Sequence, residues 1–500
     1  MSLAQVHSRA QLGIQAPSVR VEVHTAGGLP ATQIVGLPEA AVREARDRVR
    51  VAILSAAFDY PSRRITVNLA PAELPKEGGR YDLAIALGIL AATGQLPADG
   101  LADCEFLGEL SLSGRLRPVT GVLPALLAAR EAGRRAVVPT RNAAEASLLE
   151  DVDVHVADHL GAVCGWLRGE TSLPRPAEVA GARPVSSPDS PDLVDVRGQP
   201  LARRALELAA AGGHHLLFNG PPGSGKTMLA ERLPGILPPL QPHERIEVVA
   251  LRSVAGLAPA EVMTACRPFR HPHHSASAVA MVGGGSHPQP GEISLADHGV
   301  LFLDELPEFS RHVLESLREP LESGHIVIAR AAQRVSFPAR FQLVAAMNPC
   351  PCGYAGDGSS RCHCTPAQIR HYRAKLSGPL LDRLDLVVQV PAVDLVALLG
   401  PAAAQGESSA QVRARVVVAR ELAMQRAGTV NAGLAGAALD RCCALPAADR
   451  GWLTRAMQQL GLSARSYHRI LRLARTIADL EPCETLQRRH LAEAIGYRWR

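Results

Sequence analysis

Long apolar runs are missing from this 500-residue sequence. No hydrophobic segment approaches the roughly 20 residues that a membrane-spanning helix needs. The opening residues, MSLAQVHSRAQLG, carry no basic flank leading into a long apolar stretch, as a secretory leader would. We therefore expect a cytoplasmic protein that has no membrane partner.

Cysteine is sparse over most of the chain. The ten cysteines are thinly spread except for one group, which consists of Cys350, Cys352, Cys362 and Cys364. This distribution argues against a disulfide framework and favours metal ligation for the group.

Lysine is almost absent, because the basic residues are nearly all arginine and lysine occurs only at Lys76, Lys226 and Lys375. A compact ammonium on a flexible stem does not substitute freely for a planar guanidinium. The bias indicates a specific role for Lys226 and suggests one for Lys375. For Lys76 a solvated loop position is an equally good interpretation.

Size and composition describe a globular protein of several domains. A hydrophobic content of 47% with 20% charged residues leaves ample apolar surface to bury. Five hundred residues exceed what one core holds, so two to four domains are expected. The net charge of +5 permits a nucleic-acid partner without requiring one.

The most informative stretch is LLFNGPPGSGKTMLAERL, from Leu216 to Leu233. Three apolar residues predict a short buried strand, and an apolar-periodic helix follows the glycine-rich segment. That segment fits the phosphate-loop pattern: glycine backbone N–H groups converge on phosphates, a lysine reaches the β and γ phosphates, and a hydroxyl holds Mg²⁺. An ordinary turn would need neither the lysine nor the threonine. We therefore assign ATP binding to Gly220, Pro221, Pro222, Gly223, Ser224, Gly225, Lys226 and Thr227.

Two further strands end in polar residues suited to the same chemistry. Val300 to Leu303 is followed by Asp304, predicted to join Thr227 in holding Mg²⁺, and by Glu305, predicted to polarise the attacking water. The next strand ends at Asn348, which suits water positioning, although a turn asparagine before a proline explains it as well.

Arg383 lies at the end of an apolar helix in the segment GPLLDRLD. It suits stabilisation of transition-state charge in a neighbouring subunit, or a local ion pair with Asp382 or Asp385. The order of phosphate loop, LFLDE, strand-ending asparagine and LLDR resembles that of AAA+ ATPases. The resemblance favours the first interpretation and implies a ring, a hexamer, with active sites between subunits.

Helical periodicity dominates the C-terminal region. The pattern predicts helices over 411–426, 447–459, 464–480 and 488–495, which fit the small helical lid of that fold. Arg465, at the head of the third helix, matches the family's second sensor arginine, which touches nucleotide and reports its state. A solvated helix-start arginine is the alternative.

The first 170 residues alternate strand-like runs with alanine-rich helices, which predicts a mixed α/β domain. The segments PKEGGRYDLAIALGILAATGQLP and GELSLSGRLRPVTGVLPALLAAREAGRRAVVP resemble the proteolytic domain of Lon-type proteases, with its ribosomal-S5-like fold. The active enzymes use a Ser-Lys pair, and here Arg80 and Leu123 stand near those positions. Without an activated hydroxyl, the resemblance implies a retained fold used for docking or assembly.

The segment RPFRHPHHSASAVAMVGGGSHPQPGEISLADHG separates the phosphate loop from LFLDE. Its histidines, His271, His273 and His274, favour a polar surface loop over a metal site, because Pro272 interrupts them. Together with LFLDELPEF and NPCPCGY, this segment resembles the ComM/YifB group of magnesium-chelatase-like AAA+ proteins over nearly the whole chain. That resemblance implies a DNA helicase that promotes branch migration in natural transformation.

Paired C-x-C elements, CPC and CHC, flank a glycine-rich loop. Four thiolates suit tetrahedral Zn²⁺, so we favour a structural zinc site at Cys350, Cys352, Cys362 and Cys364 over free thiols, with His363 as a substitute ligand. The preceding segment, 326–341, predicts a hairpin carrying Arg330 and Arg334. In related ATPases such a hairpin enters the ring pore, and these arginines suit phosphate contacts and solvent equally.

The sequence therefore predicts an α/β protein of four segments. Residues 1–170 form a Lon-protease-like domain (ribosomal S5 domain 2-like) lacking the Ser-Lys dyad, 171–191 a linker, 192–395 an AAA+ P-loop NTPase domain, and 396–500 a C-terminal α-helical lid. The predicted function is an ATP- and Mg²⁺-dependent motor acting on branched or single-stranded DNA. Two alternatives stay open: a magnesium-chelatase motor subunit and a protein-remodelling ATPase without DNA dependence.

Overall fold

A computed structural model describes eight stretches of the chain, namely residues 2–37, 39–177, 191–257, 266–285, 288–329, 334–358, 360–392 and 406–498. Most of the predicted linker and Arg330 of the predicted hairpin lie outside these stretches.

The described part of the N-terminal region contains nine strands: β1 (Ser2–Arg9), β2 (Ser18–Ala26), β3 (Ala31–Val35), β4 (Arg64–Ala70), β5 (Cys104–Phe106), β6 (Glu109–Leu110), β7 (Leu116–Arg117), β8 (Arg135–Pro139) and β9 (Val154–Ala157). Seven of them form one mixed sheet in the order β3-β4-β2-β1-β5-β8-β9. β2 is antiparallel to both of its neighbours, and the remaining pairs are parallel.

The helices of this region that lie wholly within the described residues are α1 (Ala40–Ser55), α2 (Asp82–Ala92), α3 (Val122–Glu131), α4 (Ala143–Ala146) and α5 (Leu160–Leu167). α2 is apolar around nearly its whole circumference and is buried almost throughout. A helix without a polar face needs cover on all sides, and α2 has it because it packs between β1, β2 and α1.

The central region contains a second sheet with different topology. Its strands are β10 (Leu216–Asn219), β11 (Phe269–Arg270), β14 (Val300–Leu303), β17 (Gln342–Met347) and β18 (Leu386–Gln389). All pair in parallel, in the order β11-β14-β17-β10-β18. Two small antiparallel pairs stand apart from it: β12 (Gly283–Gly284) with β13 (Gln289–Pro290), and β15 (His325–Ala329) with β16 (Arg334–Pro338).

Helices surround the parallel sheet and continue into a C-terminal bundle. Those of the central region are α6 (Pro200–Gly212), α7 (Lys226–Glu231), α8 (Leu233–Ile236), α9 (Pro242–Val254), α10 (Ala278–Val282), α11 (Glu292–Leu295), α12 (Arg311–Ser316), α13 (Pro320–Ser323), α14 (Pro366–Ala374) and α15 (Gly378–Leu381). Those of the bundle are α16 (Ser409–Ala427), α17 (Gly436–Cys442), α18 (Ala447–Gln459), α19 (Ala464–Leu480) and α20 (Arg488–Gly496).

The register of the parallel strands aligns their carboxyl ends. Asn219 at the end of β10 pairs with Met347 at the end of β17, and Leu303 at the end of β14 pairs with Ala345. The residues that follow these three strands therefore emerge at one edge of the sheet, where ligands of parallel sheets bind.

Buried polar contacts attach the C-terminal bundle to the opposite edge of the sheet. His214 Nε2 lies 2.8 Å from the Thr476 hydroxyl of α19, and its Nδ1 lies 3.4 Å from Asp385. Gln342 donates to the carbonyl of His214 at 2.8 Å. The bundle also shares one hydrophobic core with β10, β17 and β18.

Helix α9 packs against both the N-terminal region and the central region. Val249 and Ala250 of α9 belong to the same buried cluster as Val122 and Leu126 of α3. At the end of α9, the backbone carbonyl of Ser253 accepts a hydrogen bond from Gly121 at 3.0 Å. The N-terminal region therefore packs on the central region through this helix.

The four helices predicted for the C-terminal region are confirmed to within a few residues as α16, α18, α19 and α20. The solvated interpretation of Lys76 is wrong: its side chain is fully buried, and its ammonium donates to the carbonyls of Gly36, at 2.8 Å, and of Pro71. A lysine that meets backbone carbonyls rather than a carboxylate leaves no charge pattern in the sequence by which its burial could be predicted. No helix within the described stretches combines the length and apolarity that a bilayer span requires.

His215 makes the fold sensitive to acid. Its Nδ1 accepts the backbone N–H of Leu343 at 3.0 Å, and burial lowers the pKa of its imidazole to about 4. The unfolded chain binds this proton near pH 6.5. The stability present above pH 6.5 is therefore lost as the pH falls toward 4, with a slope of up to about 1.4 kcal/mol per pH unit. We expect His215→Gln to flatten the dependence of the thermal unfolding midpoint on pH between 7 and 4.5.

His312→Gln is the matched control, because His312 is exposed on α12 and its replacement should leave the wild-type pH dependence. Equal pH dependence in all three proteins would contradict the role assigned to His215.

Candidate nucleotide site

The loop between β10 and α7 is shaped by its glycines. A Cβ at Gly220 would lie 2.1 Å from the carbonyl oxygen of Val390, so no larger residue fits there. Gly223 and Gly225 have φ angles of 75° and 85°, a region in which glycine pays no steric cost. The loop therefore curls back over the carboxyl edge of the sheet, as a phosphate-binding loop requires.

Lys226 reaches across this loop. Its ammonium donates to the carbonyl oxygens of Gly220 at 2.8 Å and Pro221 at 2.9 Å, and to Oδ1 of Asn348 at 3.2 Å. Burial lowers the pKa of Lys226, against the opposing effect of Asp304 and Glu305. The cation is thus held by neutral oxygens, which compete weakly with an anionic ligand.

Thr227 and Asp304 meet directly. The hydroxyl of Thr227 donates to Oδ2 of Asp304 at 2.7 Å, and the backbone N–H of Glu305 donates to Oδ1 of Asp304 at 2.8 Å. A hydroxyl beside a carboxylate is the oxygen donor set that suits Mg²⁺ at a phosphate-binding loop.

Glu305 is placed at the rim of the site. Its backbone has a φ of 52°, uncommon for a residue other than glycine, and its side chain is half-exposed. Oε2 of Glu305 lies 3.2 Å from Nδ1 of His274. The carboxylate predicted to polarise water is therefore engaged by an imidazole from the preceding insertion.

The position of that imidazole follows from the path of the insertion. His271 packs its ring 4.7 Å from Phe302 of β14, and the rings of His273 and His274 lie 4.1 Å apart. The sequence predicted only a polar surface loop for these histidines. The contact with Glu305 was missed, because the pattern does not show that β11 brings this loop beside β14.

Asn348 directly follows β17 and therefore lies at the carboxyl edge of the sheet. Besides its contact with Lys226, its backbone is hydrogen-bonded to the hydroxyl of Tyr372 on α14, whose pKa burial raises to about 12. Asn348 is therefore fixed from both sides, beside the lysine and at the same edge as Asp304.

Arg383 and Arg465 lie farther out. Arg383 donates to the carbonyl of Pro379 at 2.7 Å and pairs with Glu322, rather than with Asp382 or Asp385. Arg465 is largely exposed, with its guanidinium 3.6 Å from Asp382. The structure thus brings Arg465 close to the segment that carries Arg383, and it joins neither residue to the phosphate loop within this single chain.

The donor set fits a nucleoside triphosphate with Mg²⁺. The hydroxyl of Ser224, in the middle of the loop, is buried and finds no hydrogen-bond partner in the part of the chain that the structure describes. Buried polar groups are normally satisfied, so this group is available to a ligand. Lysine, threonine and aspartate stand beside it in the arrangement described above.

The four clustered cysteines lie directly after Asn348. Their sulfur atoms all lie within 4.8 Å of one another, and all are free thiols. Cys350 is fully buried, whereas Cys352, Cys362 and Cys364 are partly exposed. His363, the predicted substitute ligand, is not a member of the cluster.

Arg80 and Leu123, the residues that the resemblance to Lon-type proteases sets near the Ser-Lys positions, are both buried. Arg80 donates to the carbonyl of Thr120, and Leu123, in the first turn of α3, lies in the apolar cluster that α3 shares with α9. Desolvation lowers the pKa of Arg80.

Sheet order, phosphate loop and acidic strand end together define the class as a P-loop ATPase of the AAA+ type. The family described as magnesium chelatase, subunit ChlI, matches residues 192–398. Two related descriptions, subunit ChlI of Mg-chelatase and the ChlI C-terminal region, match residues 21–142 and 406–498.

Full-length relatives identify the group more closely. The chain is 52% identical over 500 residues to competence protein ComM of Haemophilus influenzae, covering 100% of this chain and 98% of that protein. It is 50% identical to the uncharacterized protein YifB of Salmonella typhimurium, with 100% and 97% covered. The chain therefore belongs to the ComM/YifB family of magnesium-chelatase-like proteins.

A shorter match supports the resemblance to Lon proteases. Lon protease 1 of Thermus thermophilus is 35% identical over 95 residues, which is 18% of this chain and 12% of the protease. Membership of the magnesium-chelatase-like AAA+ family implies ATP and Mg²⁺ as cofactors.

Lys226→Ala should reduce ATP hydrolysis by at least about a hundredfold, a loss typical of removing one charge-stabilising donor from an active site. The measurement is steady-state phosphate release at saturating ATP. Lys375→Ala is the control, because Lys375 is exposed and pairs with Glu308 at 3.2 Å. Retained turnover in the Lys226 variant would overturn the site assignment.

His274→Ala should raise the basal ATPase rate severalfold, because a carboxylate freed from an imidazole is a better acceptor for the proton of a water molecule. His273→Ala is the matched control, since His273 contacts Ser275 rather than Glu305. A fall in rate for His274→Ala would instead show that His274 orients Glu305.

Proposed function

We propose that this protein is an ATP-driven ring motor that acts on DNA and promotes branch migration. The observation that carries the proposal is the convergence of Lys226, Thr227, Asp304 and Asn348 at one sheet edge. The full-length similarity to a competence protein supports DNA as the substrate.

Each residue of the site has a role in the proposal. Lys226 and the loop N–H groups would hold the phosphates, and Thr227 with Asp304 would hold Mg²⁺, which neutralises charge on the transferred phosphoryl group. Glu305 and Asn348 orient the attacking water. Release of Glu305 from His274 is needed before it can accept a proton.

The ring is proposed from the position of the outer arginines. Arg383 would exchange Glu322 for the nucleotide of an adjoining subunit, and its hydrogen bond to the carbonyl of Pro379 on α15 holds the guanidinium in position. Arg465, close to Asp382, would touch nucleotide and couple its hydrolysis to movement of the lid through α19. A hexamer is the assembly proposed.

We also retain the proposed domain division, 1–170, 171–191, 192–395 and 396–500. Its support is that the three family matches, 21–142, 192–398 and 406–498, lie within or nearly within these segments. The first domain is proposed to be non-proteolytic, since Arg80 and Leu123 supply neither nucleophile nor base.

The proposed DNA contact is the β15–β16 hairpin, which carries an exposed arginine, Arg334, at the start of its second strand. Arginine contacts with phosphates would hold any DNA sequence. This is the property that a branch-migration motor needs, because it must pass along unrelated sequences.

The test is the ATPase rate without DNA, with linear duplex and with a four-way junction, measured across a salt series. We expect the junction to stimulate hydrolysis, and the stimulation to fall steeply with salt because phosphate-dominated binding releases counterions. In the same samples, labelled junctions should resolve into duplexes in an ATP-dependent manner, and Lys226→Ala should abolish this.

A rate indifferent to every DNA would refute the proposal and favour a remodelling ATPase. Stimulation by porphyrin and Mg²⁺ with partner subunits, in place of DNA, would favour a chelatase motor. Material that stays monomeric with a non-hydrolysable ATP analogue would refute the ring.

A further inference from the structure

We propose that Cys350, Cys352, Cys362 and Cys364 bind one Zn²⁺ ion, and that this zinc site holds the phosphate loop and Asn348 in the arrangement needed for hydrolysis. The second part rests on the proposed ATPase function. The first part stands on sulfur geometry alone.

The distances between the sulfur atoms fit a tetrahedral ion. Cys350 Sγ lies 3.3 Å from Cys352 Sγ and 3.9 Å from Cys362 Sγ, and Cys352 Sγ lies 3.7 Å from Cys362 Sγ. Four sulfurs about 2.3 Å from Zn²⁺ stand about 3.8 Å apart. A disulfide would require a separation of about 2.05 Å, so the group has the spacing of metal ligands.

A backbone N–H group also contacts the buried sulfur atom of Cys350. The N–H of Ala355 points at Cys350 Sγ from 3.3 Å, and donors of this kind orient thiolate ligands. Because all four ligands come from the protein, the ion would keep no open position for water. The site is therefore structural rather than hydrolytic.

The segment that carries Cys350 and Cys352 packs against the phosphate loop. Gly353 has a φ of 88°, and a Cβ added to it would lie 2.6 Å from Cδ of Pro222 and 3.8 Å from Cγ of Asn348. Only Pro349 separates Asn348 from Cys350. Movement of this pair must therefore move Asn348 or the loop.

The second cysteine pair is tied back to the same asparagine through α14. Thr365, next to Cys364, caps α14 in a capping box with Gln368. Tyr372, near the other end of the helix, bonds to the backbone of Asn348. A bound zinc ion would join the two cysteine pairs, so that the segments contacting Asn348 from both sides would be held together.

Metal content tests the first part without any nucleotide or DNA. Elemental analysis of the purified full chain should give one zinc per chain, and Cys352→Ser/Cys362→Ser should lose it. Cys266→Ser, at an exposed cysteine outside the group, should keep it. Should the double variant fail to fold, mercurial titration of the wild type with a colorimetric zinc indicator should release one equivalent. Zinc-free wild type, or unchanged zinc in a folded double variant, would overturn the site.

Two glycine substitutions test the second part and leave the ligands intact. Gly353→Ala meets Pro222, whereas Gly356→Ala, at a φ of 80°, imposes similar backbone strain with nothing within 4 Å of the added Cβ. Both should retain one zinc. We expect Gly353→Ala to lower ATP turnover at least about tenfold, as misplacement of catalytic groups does, and Gly356→Ala to stay near wild type. Equal rates in the two variants would overturn the coupling.

The outcomes separate this inference from the proposed function. A protein with zinc and with ATPase activity that ignores DNA would refute only the DNA motor. A protein without zinc that still migrates junctions would refute only the zinc site.

Discussion

The alignment of three parallel strands is the constraint on which the rest of the site depends. β14, β17 and β10 are neighbours, and their register sets Asp304, Asn348 and Gly220 at one edge of the sheet. All three strands are buried along their full length, and the backbone pairing between them holds this register. The contacts of Lys226 and Thr227 with Asn348 and Asp304 are consequences of this alignment.

A large part of this arrangement could be predicted from the sequence. The phosphate loop, the acidic strand end and the bundle helices each have a local pattern, and the structure has the predicted strands and bundle helices. β1 (Ser2–Arg9) was not predicted, because most of its residues are polar and its few apolar residues do not alternate regularly. The burial of Lys76 and the contact of His274 with Glu305 were also missed. Both depend on partners distant in sequence, and no single-sequence pattern encodes those.

The N-terminal region is held together by dense apolar packing. The mixed sheet packs on a densely buried helix, α2, and Arg80 lies buried just before that helix. Its buried guanidinium is satisfied in part by the carbonyl of Thr120. The region thus buries a cation beside its apolar core.

The shared helix α9 has a consequence for anyone who divides this chain for expression. A fragment cut before residue 191 would leave Val122 and Leu126 without the apolar cover that Val249 and Ala250 give them. The same cut would expose α9 on the remaining fragment. Each fragment would therefore expose apolar residues that are buried in the full chain. A soluble N-terminal fragment would need α9, or polar replacements along α3, to stay monodisperse.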